Sequence, residues 1–397
     1  MVARVDATAP ARGTRPRNRR ALILSAAADL FYRHGYEHVS TGDLAEAVQI
    51  GPSALYRHFP SKQQLLAAVI FDGVARVREF MSDMAMSDAD AVFRRLSAMA
   101  LDQRHLGTLW DRESRSMTVE DRHELRSQIN TVVQRLIEIV ETARPDLNAA
   151  STDLLARSLL AVFASPSFHR LDMPRQAYEA LLVELAQRVL SAEIGTFTGV
   201  ITSPPSKPLM PALRREAILS QATRLFATNG YAGVSIEDIG AALGTTGSNV
   251  YNHFSSKLEI LTTALNRGTS YLMLDFSEIL TTVDDPRLAL EQLIDSYLRL
   301  ATSHHYILDL LITESGQLPD EERHLQRQAQ HDYISEWTRL LSMIDPDTDS
   351  TESRIRVQTA LTIINDTARD PHFVGAAGYA GAMSAIAQQV VLEPLKR

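Results

Sequence analysis

Apolar positions recur along most of this chain at intervals of three and four residues. Near the start, Ile23, Ala27, Leu30 and Phe31 form one stripe, the spacing of a helix with a single buried face. Gly35 follows as a helix stop. Ser40 or Thr41 then opens a second helix, with Asp43 near its positive end. That helix, about 41–48, leads through a tight turn into a short one, about 52–58. Leu44, Ala47, Val48, Leu55 and Phe59 are predicted to face inward. Pro52 suits a first helical position. Ser61 caps a long helix reaching about Met81. Strand signals are scarce, so the predicted fold class is all-α.

The same pattern returns once. Residues Arg214 to Leu261 align with Arg19 to Leu66 without a gap, and 20 of the 47 positions from Arg20 to Leu66 are identical. Gly230 repeats the stop, Ser235 leads the middle helix with Glu237 and Asp238, and Ser256 caps the long helix. Ile239, Ala242, Leu243, Val250 and Phe254 are the second set of inward positions. Further on, Glu113-Ser114 pairs with Glu314-Ser315, and Tyr178, Ala186, Gln187 and Val189 pair with Tyr379, Ala387, Gln388 and Val390. The spacing between copies is 195 in the heads and 201 in the bodies, so the second half carries a net insertion of six residues.

Each half therefore reads as a head followed by a helical body. The expected boundaries are a disordered basic arm at 1–16, a first head at 17–77 and a first body at 78–192. A linker at 193–211, a second head at 212–272 and a second body at 273–397 follow. The linker is placed by the four prolines between Ser191 and Leu213. Leu154, Leu155, Leu159, Leu160 and Val162, then Leu181, Leu182, Leu185 and Val189, read as two amphipathic helices closing the first body. Ile363, Ile364, Met383, Ile386 and Val390 mark their counterparts.

Composition changes this picture in two ways. The 397 residues include no cysteine, which removes disulfides, thiolate nucleophiles and Cys-ligated metals. No apolar run approaches the ~20 residues of a membrane span, and the Arg-rich start lacks the apolar core of a secretory signal. The expected location is cytoplasmic. Net charge is −8, yet residues 1–62 hold nine Arg and Lys against five Asp and Glu, and 205–257 hold five against three. Two mildly basic heads on an acidic body suit a protein that meets DNA at two places.

The head spacing is that of a helix-turn-helix. The start of the short helix is small and polar, which lets a helix enter the major groove. Ser40, Thr41, Gly51, Pro52, Ser53, Ala54, Tyr56, Arg57, His58 and Lys62 are the candidate DNA-binding residues of the first head. Ser235, Thr245, Thr246, Gly247, Ser248, Asn249, Tyr251, Asn252, His253 and Lys257 are those of the second. Arg57 can bond guanine, and Asn249 or Asn252 adenine. Tyr56, His58, Lys62, Tyr251, His253 and Lys257 are placed for phosphate, as are the helix starts at Ser61 and Ser256. Arginines at 15–20 suit either a minor-groove arm or a solvated tail.

The runs Leu55-Tyr56-Arg57-His58-Phe59-Pro60-Ser61-Lys62 and Val250-Tyr251-Asn252-His253-Phe254-Ser255-Ser256-Lys257 resemble the signature of the TetR/AcrR family of bacterial regulators. The resemblance implies three-helix heads, all-helical ligand and dimerisation domains, and no enzyme activity. It also implies that the closing helices pair, here within one chain as a pseudo-dimer, with further homodimerisation left open. Gln49 departs from the family's usual turn glycine, which the second copy keeps as Gly244. The tandem arrangement, with Leu109 to Asn130, is similar to double-TetR regulators of mycobacterial mammalian-cell-entry operons, which implies control of lipid or sterol uptake genes.

The expected function is a ligand-released repressor reading an asymmetric operator, since GPSALYRH and TGSNVYNH differ at most exposed positions. Expected partners are double-stranded DNA and a small-molecule effector, of lipid or acyl-CoA type. Trp110, Arg112 and Glu113 are candidate pocket residues, with Arg112 meeting an acidic or CoA-linked effector, although a salt-bridged surface helix with Trp110 in the core is the favoured reading for Arg112 and Glu113. No cofactor or metal is expected. His304-His305 reads as a helix start, because adjacent residues do not share a helix face. Two alternatives stand: an activator or regulator with one degenerate head, and a helical enzyme acting on lipid-CoA, for which no nucleophile–base set is visible.

Overall fold

The predicted periodicity is realised as helices throughout. The computed structural model describes residues 19–84, 88–195, 197–200, 209–370 and 372–393, so the expected arm at 1–16 and much of the expected linker lie outside it. The first half runs α1 (Arg19–His34), α2 (Thr41–Ala47), α3 (Pro52–Tyr56), α4 (Lys62–Ser82), α5 (Ala89–Asp102) and α6 (Leu106–Thr108). A π-helical turn at Leu109–Glu113 and a 3-10 turn at Ser114–Ser116 lead to α7 (Val119–Ala143), α8 (Ala149–Ala164) and α9 (Arg175–Leu190). The second half runs α10 (Arg214–Asn229), α11 (Ile236–Ala242), α12 (Gly247–Tyr251), α13 (Lys257–Thr282), α14 (Pro286–Ser303) and α15 (His305–Thr313). It closes with α16 (Asp320–Ile344), α17 (Ser350–Ala368) and α18 (Tyr379–Leu392). Every regular element among the described residues is helical, and none of these helices is long and apolar enough to cross a membrane.

Two compact units form, and they do not follow the repeat. One holds the described residues up to 84 with 98–135; the other holds 88–97 and the described residues from 136 onward. The first unit is the first head with the turns and the start of α7 packed on it. Its core joins Ile23, Phe31, Leu44, Leu55, Phe59 and Ile70 to Leu109, Met117 and Leu125. The second unit takes the second half together with α8 and α9, because those helices pack on α17 and α18.

That seam is built from both halves. α8 lies along α17, and α9 along α18. The faces are apolar, including Leu154, Leu155, Leu159, Ile363, Ile364, Met383 and Val390, all fully buried. Ser165 Oγ and Thr359 Oγ1 share a buried hydrogen bond of 3.0 Å. Two buried arginines, one on α9 and one on α17, reach the end of α18: Arg188 donates to the Val390 carbonyl at 3.0 Å and Arg356 to the Glu393 carbonyl at 3.1 Å. Cations there offset the negative helix end and its unpaired carbonyls.

Part of the expected linker is not a tether. Phe197 is fully buried, its ring against Phe373 and Tyr379. Its carbonyl accepts from Asn148 Nδ2 at 2.7 Å and Ser151 Oγ at 3.2 Å, and Ala377 N donates to the Val200 carbonyl at 3.2 Å. Residues 197–200 thus strap the start of α8 to the segment before α18. Gly199 is left-handed, and a Cβ there would lie 2.6 Å from that of Ala150.

Candidate nucleic-acid interface

Each head is assembled by the same local devices. Ser40 Oγ accepts from Asp43 N at 3.1 Å while the Asp43 carboxylate accepts from Ser40 N at 2.8 Å. Ser235 and Asp238 repeat both bonds at the same lengths. These reciprocal caps start α2 and α11 and settle the choice between Ser40 and Thr41. They also hold both carboxyl groups below the usual Asp range. The causes are the Ser40 backbone and then side-chain bonds for Asp43, and the Ser235 side-chain and then backbone bonds for Asp238.

The turn between helices follows. Ile50 N donates to the Ala45 carbonyl and Thr245 N to the Gly240 carbonyl, both at 2.9 Å. To close it, Gln49 adopts φ 53° and Gly244 φ 64°. In the second head a Cβ on Gly240 would meet the Thr246 backbone at 2.8 Å; the first head holds Ala45 at the matching place.

α3 and α12 are anchored from below by Leu55 and Phe59, and by Val250 and Phe254, all buried. Inward positions on the preceding helices differ from expectation. Ala45 and Gly240 are buried, whereas Ala47 and Ala242 are exposed. Alanine is small enough to sit on either face, so its position carries little pattern. Arg20 lies 5.2 Å over the Phe59 ring and Arg215 3.8 Å over that of Phe254, an attraction of cation to ring face.

The upper surface presents most of the candidate residues. Gly51, Pro52, Ser53, Tyr56, Arg57 and His58 are exposed in the first head, with Ala54 and Thr41 partly so. In the second, Thr246, Ser248, Tyr251 and Asn252 are exposed, and Thr245, Asn249 and His253 partly so. Tyr56 and Tyr251 stand 47% and 53% open to solvent. Asn249 Nδ2 donates to Thr245 Oγ1 at 2.8 Å, which leaves Asn252 as the freer amide.

Three expectations are corrected. Gly247 is buried, and a Cβ there would meet Glu237 Oε1 at 3.0 Å, so it faces α11 rather than outward. Lys62 and Lys257 turn inward. Lys62 Nζ donates to the Tyr36 and Val39 carbonyls at 2.9 and 3.1 Å, and Lys257 Nζ to those of Tyr231 and Val234 at 2.9 Å each. Each ammonium also sits about 4 Å over a tyrosine ring, so these lysines brace the loop between the first two helices. Burial lowers the Lys257 pKa, with Glu314 acting in the opposite direction.

Trp110, Arg112 and Glu113 are the third correction. Trp110 packs against the core of the first head. Arg112 Nε donates to Glu113 Oε1 at 2.8 Å, and the buried Glu113 lies beside Gly35. The trio is a joint between head and body rather than a pocket wall. Glu314, also buried, lies beside Gly230 in the same way.

One difference between heads was not foreseen. Ser61 and Ser256 cap α4 and α13 alike, at 3.1 and 3.0 Å. In the second head Glu259 adds a carboxylate at that helix start, accepting from Ser255 N at 2.6 Å and pairing with Arg215 at 3.2 Å. The first head has Gln64 there. Among the described residues no group of three His, Asp or Glu could hold a metal ion.

Comparison with known proteins places these heads. The profile described as bacterial regulatory proteins, tetR family, matches residues 23–69 and again 218–264. Over 82 residues the chain is 30% identical to the HTH-type transcriptional repressor KstR2 of Mycolicibacterium smegmatis, covering 21% of this chain and 40% of that protein. Over 73 residues it is 36% identical to the HTH-type transcriptional repressor AcnR of Corynebacterium glutamicum, covering 18% and 39%. The chain thus spans about two-fifths of the length of these curated relatives. Among solved structures, a TetR-family transcriptional regulator from Bordetella parapertussis is similar at 22% identity and a TM-score of 0.42, covering 46% of this chain and 95% of that one.

Proposed function

We propose, from the premise that this chain belongs to the tetR family of bacterial regulatory proteins and carries the family's DNA-reading domain in tandem, that it is a sequence-specific DNA-binding repressor. Each head reads one half-site, and because the two reading helices differ the operator is not a palindrome. The observation that carries this is the pair of identically capped heads with unlike exposed faces. Gly51, Ala54 and Arg57 of one stand where Thr246, Asn249 and Asn252 stand in the other.

The seam of α8, α9, α17 and α18 supports a second element of the reading. It joins the closing helices of both halves inside one chain, where a family member with a single head would use a second copy. One molecule then serves as its own dimer. A small-molecule effector releases it from DNA by favouring a conformation with lower DNA affinity.

Selection of random duplexes by the full chain tests this. The reading expects an enriched site with two unlike halves, bound by one chain. Enrichment of a perfect inverted repeat, or of no sequence at all, would refute it.

A further inference from the structure

We propose that effector sensing is confined to the second half of the chain, in a cavity that takes one compact, largely apolar molecule through a hydrogen bond to Tyr333. This rests on the effector-released reading above and adds which half senses and what chemistry is sensed. The cavity, about 80 Å³, lies among α13, α14, α15, α16 and α17. Met273, Leu308, Leu311 and Leu361 supply apolar wall. At one edge, Thr269 Oγ1 donates to Gln326 Oε1 and Gln326 Nε2 donates to Asn266 Oδ1, both at 2.7 Å, latching α13 to α16.

The two tyrosines on the wall differ. Tyr297 is satisfied, its hydroxyl donating to Asn365 Oδ1 at 2.9 Å. Tyr333 is 5% exposed, and its buried hydroxyl finds no acceptor, since the Trp337 indole beside it offers only a donor N–H. A buried unpaired hydroxyl weakens the fold that keeps it, whereas a hydroxyl or carbonyl on a bound molecule would satisfy it. The volume is well below the roughly 300–1,000 Å³ of ordinary ligand pockets, which restricts the occupant to a compact one.

α15 connects this cavity to the second head. Leu308 and Leu311 face the cavity. Leu310 and Tyr306 of the same helix belong with the core of the head, and Glu314 just beyond it lies beside Gly230. An occupant that displaces α15 is therefore felt at α10.

The first half lacks these groups. α7 and α16 are the same length and correspond residue for residue at a spacing of 201. Gln326, Gln330, Tyr333 and Trp337 correspond to Leu125, Ile129, Val132 and Leu136. Leu125, Val132 and Leu136 are buried, and Leu125 and Ile129 are packed into the core of the first head. Aliphatic side chains there offer a polar ligand nothing to bond.

Fluorine NMR of the full chain with a fluorinated benzyl alcohol as probe tests this. One bound resonance is expected. It should vanish in Met273→Trp, which fills the cavity, and its affinity should fall about tenfold in Tyr333→Phe, the most that one net hydrogen bond contributes. The matching fluorinated toluene should bind both proteins alike. Tyr333→Phe should melt no lower than the wild type; a drop of several degrees would assign the hydroxyl to the fold and overturn the proposal. Should Met273→Trp fail to fold, Ile312→Phe fills the same space. A bound resonance that survives filling overturns the confinement, and the absence of any overturns the site. A chain that binds the probe but never shifts on DNA would sink the repressor reading and leave this site standing. A chain that shifts on DNA with no bound probe would do the reverse.

Discussion

Gln49 and Gly244 occupy the same place in the two heads, and both backbones turn left-handed, at φ 53° and 64°. Only the glycine does so without steric cost. A left-handed conformation costs a residue with a Cβ roughly 1–2 kcal/mol, and the glycine's greater freedom in the unfolded chain offsets about 0.5–1 of that. Gln49→Gly is therefore expected to raise unfolding stability by up to about 1 kcal/mol, measured by urea denaturation. A loss of stability would show that the Gln49 side chain holds the turn in a way its exposed position does not suggest.

The reciprocal caps make the heads sensitive to acid. The carboxyl groups of Asp43 and Asp238 titrate below their ordinary 3.8 in the folded chain. Their contribution is therefore present above that value and lost as pH falls through the lower folded one. The double variant Ser40→Ala, Ser235→Ala should melt below the wild type near neutrality, and the gap should close as the pH drops through the carboxylate range. A gap that is constant with pH would mean the serines act without their aspartates.

Phe197 fastens the seam from outside the helices. Phe197→Ala removes a fully buried ring and is expected to cost about 3–5 kcal/mol. Phe197→Leu should recover most of it. Differential scanning calorimetry on both would decide, and an unchanged melting temperature in the alanine variant would return residues 197–200 to the status of a loose connector.

The Arg356 guanidinium has no solvent exposure and sits 3.6 Å from Glu352, whose carboxylate is also largely buried. Burial, and then the nearby Arg188, lowers its pKa to about 10. Its Nε and Nη1 have no hydrogen-bond partner. Arg356→Met alone strands Glu352 and should destabilise by about 3 kcal/mol, whereas adding Glu352→Leu should restore wild-type stability or exceed it. A double-mutant cycle measures this. If the double variant remains as unstable as the single one, the cost lies in the lost bond to Glu393 and not in the stranded charge.

Arg57 and Asn252 stand on different heads. Arg57→Ala and Asn252→Ala should each weaken operator binding by about 1–3 kcal/mol and relax preference in opposite halves of the site. Gel shifts against operators altered in one half at a time would show it. If one substitution is silent on every duplex, its head does not read bases.

The helices and their caps were legible because periodicity and Ser–Asp spacing report local physics. Leu44, Leu55 and Phe59 have only one face on which they can be buried; Ala45 and Ala47 do not, and there the expected face was wrong. Lys62 and Lys257 were expected at phosphate because a sequence shows charge but not the direction of a long stem. Phe197 was hidden by its neighbours, since a segment rich in glycine, serine and proline reads as a tether whatever ring it holds. Trp110 drew attention to the first half, whereas the buried hydroxyl of Tyr333 became visible only once α13 to α17 enclosed a cavity.

A homodimer repeats every contact across its twofold axis with the same pair of residues. The bond from Ser165 to Thr359, and the one from Arg188 to the end of α18, join unlike partners. Where one chain serves as its own dimer, as proposed, assembly is unimolecular and dilution does not undo it. A regulator built this way keeps both heads even at a few copies per cell.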